Sequence, residues 1–353
     1  MTQASTSPSL SLDKSALPKR RLGRTDMLIT PVGLGAWAIG GGDWAVGWGE
    51  QDDNESIAAI RHAVERGVNW IDTAAIYGLG HSEEVVRKAL AEIPAGQRPY
   101  VFTKCGLRWD DNDRMAPPKN IGNPASIRAE CEASLKRLGV DCIDLYQMHW
   151  PARDGTPIEE YWRTLLDLKV EGKVRAVGLS NHNATQLEEA EAIGHVDTLQ
   201  PPFSAIRREF AASELPWCVK HDTGVIVYSP MQAGLLTGAF TAARAKQLPA
   251  NDWRSRNAEF TGDKLKANLA LAETMAAVAK RHDVTTAAVA IAWTLAWPGV
   301  SGAIVGARNA SQVDGWIGAA TLHLRQADLD EIAATIERTG AGSGPPLPYE
   351  MAR

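Results

Sequence analysis

Short apolar runs alternate with longer amphipathic stretches along most of this chain, and the alternation begins near residue 29. The runs lie at Ile29–Leu34, Trp70–Ile71, Tyr100–Thr103, Ile143–Met148, Ala176–Leu179, Thr198–Leu199, Val225–Tyr228 and Gly302–Val305. They are apolar at successive positions, which marks strands buried on both faces, as in a parallel sheet. Helices are expected between them. Asp53–Arg66 carries Ile57, Ile60 and Val64 at helical spacing and stops at Gly67, a residue suited to the left-handed turn that ends helices. Pro124–Leu138 stops at Gly139, with Leu135 and Leu138 facing inward; Ile158–Glu171 stops at Gly172 and Asn183–Ile193 at Gly194. Leu265–His282, Thr285–Trp297 and Gln326–Arg338 continue the pattern, and a further helix begins near Ala310.

Strand–helix alternation without a change of composition predicts an α/β fold, a single closed (β/α)8 TIM barrel. Arg20–Leu22 and Met27–Ile29, turned at Gly23-Arg24, would form a short N-terminal hairpin capping the barrel bottom, and Gln326–Arg338 an extra C-terminal helix. No Pro/Gly-rich linker splits residues 20–340. The expected organisation is a barrel domain over 18–340 between a disordered Ser/Thr/Pro-rich tail, 1–17, and a C-terminal tail, 341–353.

Composition narrows the function. The 353 residues suffice for such a barrel and its core. Lys and Arg total 37 against 42 Asp and Glu, a net charge of −5 with no basic block. Nucleic acid and anionic membrane are therefore not indicated as partners. No apolar run nears the roughly 18 to 20 residues that span a bilayer, and the N-terminal stretch lacks the apolar centre of a signal peptide. Cys105, Cys131, Cys142 and Cys218 show no paired spacing; free thiols in a reducing cytoplasm are expected. Oligomeric state is not legible.

In a barrel of this kind the loops after the strands build the active site. The apolar runs end in Asp72, Lys104, His149, Ser180 with Asn181, Gln200, Ser229, and Gly306 with Arg308; Tyr77 follows shortly after Asp72. Reduction of a carbonyl by hydride leaves an alkoxide that needs a proton donor. A lysine beside a tyrosine would lower the phenol pKa, each unit being worth about 1.4 kcal/mol. An aspartate would hold that lysine charged, and a histidine would orient the carbonyl. Taken singly, Asp72 and Lys104 read as a structural ion pair, His149 as a packed histidine, and Ser180-Asn181 as a helix cap. Together at consecutive strand ends they read as one catalytic set.

The segments that carry these residues resemble the aldo-keto reductases: NWIDTAAIYG from Asn69, VFTKCG from Val101, IDLYQMHWP from Ile143, VGLSNHN from Val177, VYSPMQAGLLTG from Val227 and AIVGARNASQV from Ala303. The likeness runs from about Arg21 to Ile336 and lies nearest the bacterial sugar-linked and general aldehyde branch, which is related to potassium-channel β subunits. It implies an oxidoreductase acting on an aldehyde, ketone or sugar, with Tyr77 as general acid/base, Lys104 as its modifier, Asp72 as the partner of Lys104 and His149 as carbonyl orienter. Ser180, Asn181 and Gln200 would bind the nicotinamide carboxamide and Tyr228 would stack on its ring. Ser229 and the backbone through Gln232, Gly234, Leu236 and Gly238 would wrap the pyrophosphate, while Gly306, Arg308 and Gln312 would meet the adenosine end. An arginine at 308 can hold a 2′-phosphate with two parallel N–H groups, so NADP(H) is expected, with NAD(H) the alternative. Trp316 stands where many relatives place an asparagine, and PPFSAIRRE after Gln200 also departs from the pattern.

Trp37, Trp44, Trp48, Trp109 and Trp150 fall on loops at the pocket mouth and are candidates for an aromatic wall. The loop Ala38–Gln51 reads as a specificity element. His182 reads as a surface residue. Gly33-Leu-Gly35-Ala-Trp-Ala38 matches a dinucleotide fingerprint by letter, but no helix follows it, and no compact metal-ligand spacing occurs. The alternative to an enzyme is a cofactor-binding regulatory or scaffold protein of the channel-β type; a sugar isomerase on the same architecture would need a metal or second base that is not evident.

Overall fold

Residues 17–249 and 252–348 are described by the computed structural model of the chain; the tail read over 1–17, apart from Leu17, and the last five positions of the C-terminal tail lie outside them. The hairpin comes first, with β1 (Arg20–Arg21) antiparallel to β2 (Leu28–Ile29). Barrel strands β3 (Val32–Gly35), β4 (Trp70–Asp72) and β5 (Tyr100–Cys105) follow. A side ladder of β6 (Leu107–Arg108) and β7 (Lys119–Asn120) interrupts the series. The barrel resumes with β8 (Ile143–Met148), β9 (Val174–Ser180), β10 (Thr198–Gln200), β11 (Gly224–Val227) and β12 (Val300–Gly306). The eight barrel strands are parallel neighbours in chain order, and β12 returns to β3. This is the closed barrel that the alternation predicted.

Around it lie α1 (Asp53–Glu65), α2 (His81–Ala91), α3 (Pro124–Leu138), α4 (Ile158–Val170), α5 (Ala184–Glu191) and α6 (Phe210–His221). The second half adds α7 (Ala242–Lys246), α8 (Gly262–Arg281), α9 (Thr286–Leu295), α10 (Ala310–Trp316) and the extra C-terminal helix α11 (Gln326–Thr339). No described helix is long and apolar enough to cross a membrane.

Two apolar layers hold the fold. One lies between strands and helices; the other fills the barrel with Trp70, Phe102, Leu145, Ala176, Ile226 and Ile304. Leu22, Met27 and Ile29 of the hairpin belong to this inner layer and are wholly buried. The hairpin therefore plugs one end and leaves the carboxyl ends of the strands as the open one. Gly33 serves this packing: a Cβ there would stand 2.1 Å from the Trp70 indole. The glycines of the apparent fingerprint make room for side chains of the two neighbouring strands, Gly33 for Trp70 and Gly35 for Ile304, and a loop follows them.

Local reading failed at identifiable places. The first apolar run is two strands, because Pro31 breaks it and Asn69 bridges the corner, accepting from the Thr30 amide at 2.8 Å and donating to the Leu28 carbonyl at 2.7 Å. Helix α5 is capped by Asn183, whose side chain accepts from the Gln186 amide while the Gln186 side chain returns to the Asn183 amide; Ser180 and Asn181 are left free for the cleft. The alternation calls for helices at α2 and α6 but gives them no bounds; α6 contains Pro216 and α2 starts from left-handed Gly80 (φ 99°). Beyond α11 the backbone packs onto 206–209, with buried Arg208 donating to the carbonyls of Ala341, at 3.1 Å, and Gly344, at 3.2 Å.

Candidate active site

Four side chains from the ends of three successive barrel strands meet in one cluster. Asp72 ends β4, Lys104 lies in β5, His149 follows β8, and Tyr77 sits on the turn after β4. The Lys104 ammonium has three N–H groups. Their acceptors are Asp72 Oδ1 at 2.6 Å, the Thr73 carbonyl at 2.9 Å and Tyr77 Oη at 3.5 Å. Since Lys104 donates to the phenol oxygen, the phenol proton is left for another acceptor. The second oxygen of Asp72 accepts from Gln200 Nε2 at 2.8 Å, so Gln200 joins this network. The His149 ring stands edge-on to the Tyr77 ring, centroids 5.9 Å apart.

Burial sets the electrostatics. It pushes the carboxyl of Asp72 up and the ammonium of Lys104 down, each drawn back by the opposite charge beside it. His149 is held well below the ordinary imidazole range, first by burial and then by the Lys104 charge, so it is neutral. Tyr77 corrects the expectation of a lowered phenol pKa: burial, with the Asp72 charge behind it, raises it well above the usual value. The physical reason is that a phenolate here would lose its hydration and face the Asp72 carboxylate, whose partner Lys104 is already engaged. As it stands the phenol is a firmly protonated donor.

Above the cluster opens a cleft of about 990 Å³ lined by Trp37, Trp44, Trp48 and Trp150 among others. Trp37 stacks on the Tyr77 ring at 6.3 Å, and Trp48 meets Trp37 edge-on at 5.2 Å. Trp109 is not part of this wall. Its indole donates to Asp111 at 2.9 Å and packs behind the wall, against the cluster of Trp44, Ala74, Ile76 and Leu107. Trp253 was missed by sequence reasoning; it packs edge-on against Trp48 at 6.1 Å from the long excursion after β11. Arg254 beside it lies over the Trp48 ring at 5.7 Å.

Away from the tetrad the cleft continues past Ser180, Asn181, Tyr228 and Ser229 to Gly306, Arg308, Gln312 and Trp316. Ser180 donates to the Gln200 carbonyl at 2.8 Å, and the Asn181 amide donates to the His149 carbonyl at 3.0 Å. Tyr228 donates to Asn181 Oδ1 at 2.8 Å. The backbone at Ser229, Gln232 and Ala233 is left-handed (φ 58°, 46° and 51°) without glycine, strain of the kind that gathers at functional loops. Three residues expected to contact a cofactor stand off the cleft lining. Leu236 is wholly buried in the outer core, Gly238 packs on Thr286, and the Gln232 side chain accepts from Ser204 at 3.1 Å. The tight turns of this segment present Met231, Ala233, Gly234 and Thr237 to the cleft instead. At Gly234 and Gly315 nothing lies within 4 Å of where a Cβ would stand. An open channel with Arg244 and Arg308 along it fits a long, multiply anionic molecule such as a nicotinamide dinucleotide.

His182 is a second correction. It is buried, not on the surface, with Nδ1 2.8 Å from the Ser180 carbonyl and Nε2 2.9 Å from Tyr161 Oη. Helix α4 covers it, which its sequence neighbours do not reveal. Among the described residues no group of His, Cys, Asp and Glu could hold a metal ion.

Comparison with known proteins places this barrel. The model of the Aldo/keto reductase family matches residues 31–337. The chain is 35% identical to aldo-keto reductase YhdN of Bacillus subtilis over 309 residues, 87% of this chain and 90% of that one. It is also 35% identical to the NADH-specific methylglyoxal reductase of Escherichia coli over 334 residues, 91% of this chain and all of that one. Among solved structures, the glycerol dehydrogenase AKR11B4 from Gluconobacter oxydans superposes with a TM-score of 0.84 at 35% identity, covering 95% of this chain and 99% of that one. With a family match across the whole barrel and relatives this similar over nearly their full length, the chain belongs to the aldo/keto reductase family and is an oxidoreductase of that family's nicotinamide-dependent kind.

Proposed function

We propose that this enzyme interconverts a small carbonyl compound, an aldehyde, ketone or sugar, and its alcohol, with NADP(H) as the preferred cofactor. The observation that carries the reading is the arrangement at Tyr77. Lys104 donates to the phenol oxygen from 3.5 Å, and the phenol proton is directed elsewhere. A bound nicotinamide supplies or accepts the hydride. Tyr77 gives its proton to the carbonyl oxygen during reduction. Lys104 then stabilises the phenolate left behind, an interaction that grows as charge develops. Asp72 and Gln200 keep Lys104 in place. Neutral His149 offers the carbonyl a hydrogen bond without competing as an acid.

Ser180, Asn181 and Tyr228 would hold and cover the nicotinamide end, and the segment from Ser229 to Thr237 the pyrophosphate. Gly306, Arg308 and Gln312 would take the adenosine end, with Arg308 on the 2′-phosphate. The tryptophan wall suits the apolar face of a sugar or an aromatic aldehyde. The named activities of the relatives, on glycerol and methylglyoxal, also favour a small oxygenated substrate. A cytoplasmic setting goes with four cysteines that are all free thiols.

Tyr77→Phe tests the reading. Carbonyl reduction should fall by about 10²- to 10⁴-fold, while NADPH affinity, followed by protein fluorescence, stays nearly constant. Turnover close to that of the unaltered enzyme would remove Tyr77 from the mechanism.

A further inference from the structure

Arg308 is tethered across the cleft by a residue 257 positions away in the chain. Its Nε donates to Gln51 Oε1 at 2.6 Å and its Nη2 to the Glu50 carbonyl. Gln51 returns the contact, its Nε2 donating to the Arg308 carbonyl at 2.9 Å and to Ser56 Oγ at 3.0 Å. Ser56 in turn donates to the Asp52 carbonyl at 2.9 Å in the first turn of α1, so the glutamine is itself anchored.

A guanidinium presents its donors along two edges. Gln51 and Glu50 occupy the edge formed by Nε and Nη2. Among the described residues nothing accepts from Nη1. The outer edge, a pair of parallel N–H groups, is left in the geometry that grips a phosphate with two bonds. Both tethering acceptors are neutral, a side-chain amide and a peptide carbonyl. Arg254, also on the cleft, is by contrast neutralised by Asp252 at 2.6 Å. Among the described residues Arg308 makes no ion pair, so its charge stays available.

We propose that Gln51 is a positioning residue for cofactor choice: it locks the Arg308 guanidinium with one edge free and, by being uncharged, reserves that charge for the 2′-phosphate of NADP(H). This rests on the reading of Arg308 given above. A glutamate at 51 would keep the tether but turn it into an ion pair that competes with the phosphate. An alanine would keep the charge and lose the positioning.

The test measures NADPH and NADH dissociation constants, by quenching of tryptophan fluorescence, for the unaltered enzyme, Gln51→Glu, Gln51→Ala and Arg308→Ala. Gln51→Glu should weaken NADPH by about fivefold, the order of one surface ion pair near its upper limit, and leave NADH within about twofold. Gln51→Ala should weaken NADPH by a smaller factor in the same selective manner. An unchanged NADPH-to-NADH ratio in both Gln51 variants overturns the proposal; if Arg308→Ala still collapses that ratio, the Arg308 reading survives alone. Equal loss of both cofactors in Arg308→Ala removes that reading and the role of Gln51 with it.

Discussion

Two half-buried rings on the cleft show how little a residue's type says about its proton. Tyr77 and His149 both lie close to the Lys104 cation, yet burial rather than that charge dominates each, keeping the phenol protonated and the imidazole neutral. Reduction therefore has its proton donor in place across the neutral range. His182 makes the same argument about stability. A carbonyl can only accept, so Nδ1 carries the proton toward Ser180, and Nε2 accepts from Tyr161. Both ring nitrogens are satisfied in the neutral form, and burial brings the pKa from 6.5 down to about 4. An unfolded chain takes up that proton near pH 6.5 and the folded one does not until about pH 4, so stability falls with pH across this window. The loss should reach about 3 kcal/mol, at roughly 1.4 kcal/mol per unit. Urea unfolding of the enzyme and of His182→Gln at pH 7.5 and pH 5 should show a shallower pH slope in the variant; parallel slopes would contradict this account. The chemistry of Asp72, Tyr77, Lys104 and His149 was legible because all four lie at or just after the ends of three successive strands. The surroundings of His182 were not, because helix α4 supplies them.

Elements were readable where their signals are local. Helix α3 was expected over its observed span because Pro124 opens it and Gly139, left-handed at φ 66°, closes it. Helix α5 depends on a reciprocal cap, so Asn183→Ala should cost about 1 kcal/mol, read as a lower urea midpoint at unchanged slope. Its effect should stop there, since Asn183 lies beyond the cleft lining. The loop between β3 and α1 reads as a specificity element only through its length and its tryptophans. Its contacts come from elsewhere: Trp253 packs on Trp48, Arg114 donates to the Asp43 carbonyl at 2.9 Å, and Gln51 holds Arg308. Nothing in the loop's own sequence names these partners. Helix α6 failed the reading for the opposite reason, since its internal Pro216 is a signal against a helix that the barrel overrides.

Across the whole molecule, the hairpin plug and the cleft divide the barrel into a closed end and a working end. Cofactor occupying the cleft would bind the folded chain alone and so stabilise it. At about 100 times its dissociation constant NADPH should contribute about 2.7 kcal/mol, visible as a melting temperature several degrees higher. At the same concentration NADH should give a smaller rise, and equal rises would count against the NADP(H) preference. The succession of apolar runs and amphipathic stretches, with polar groups where the runs end, determined the barrel and the candidate catalytic set, because hydrophobic period and strand ends are properties of neighbouring residues. Closure of the barrel decided the rest. It brought Gln200 to Asp72, buried His182 beneath Tyr161 and set Gln51 against Arg308, since such pairings depend on which distant side chains share a volume once eight strands have joined.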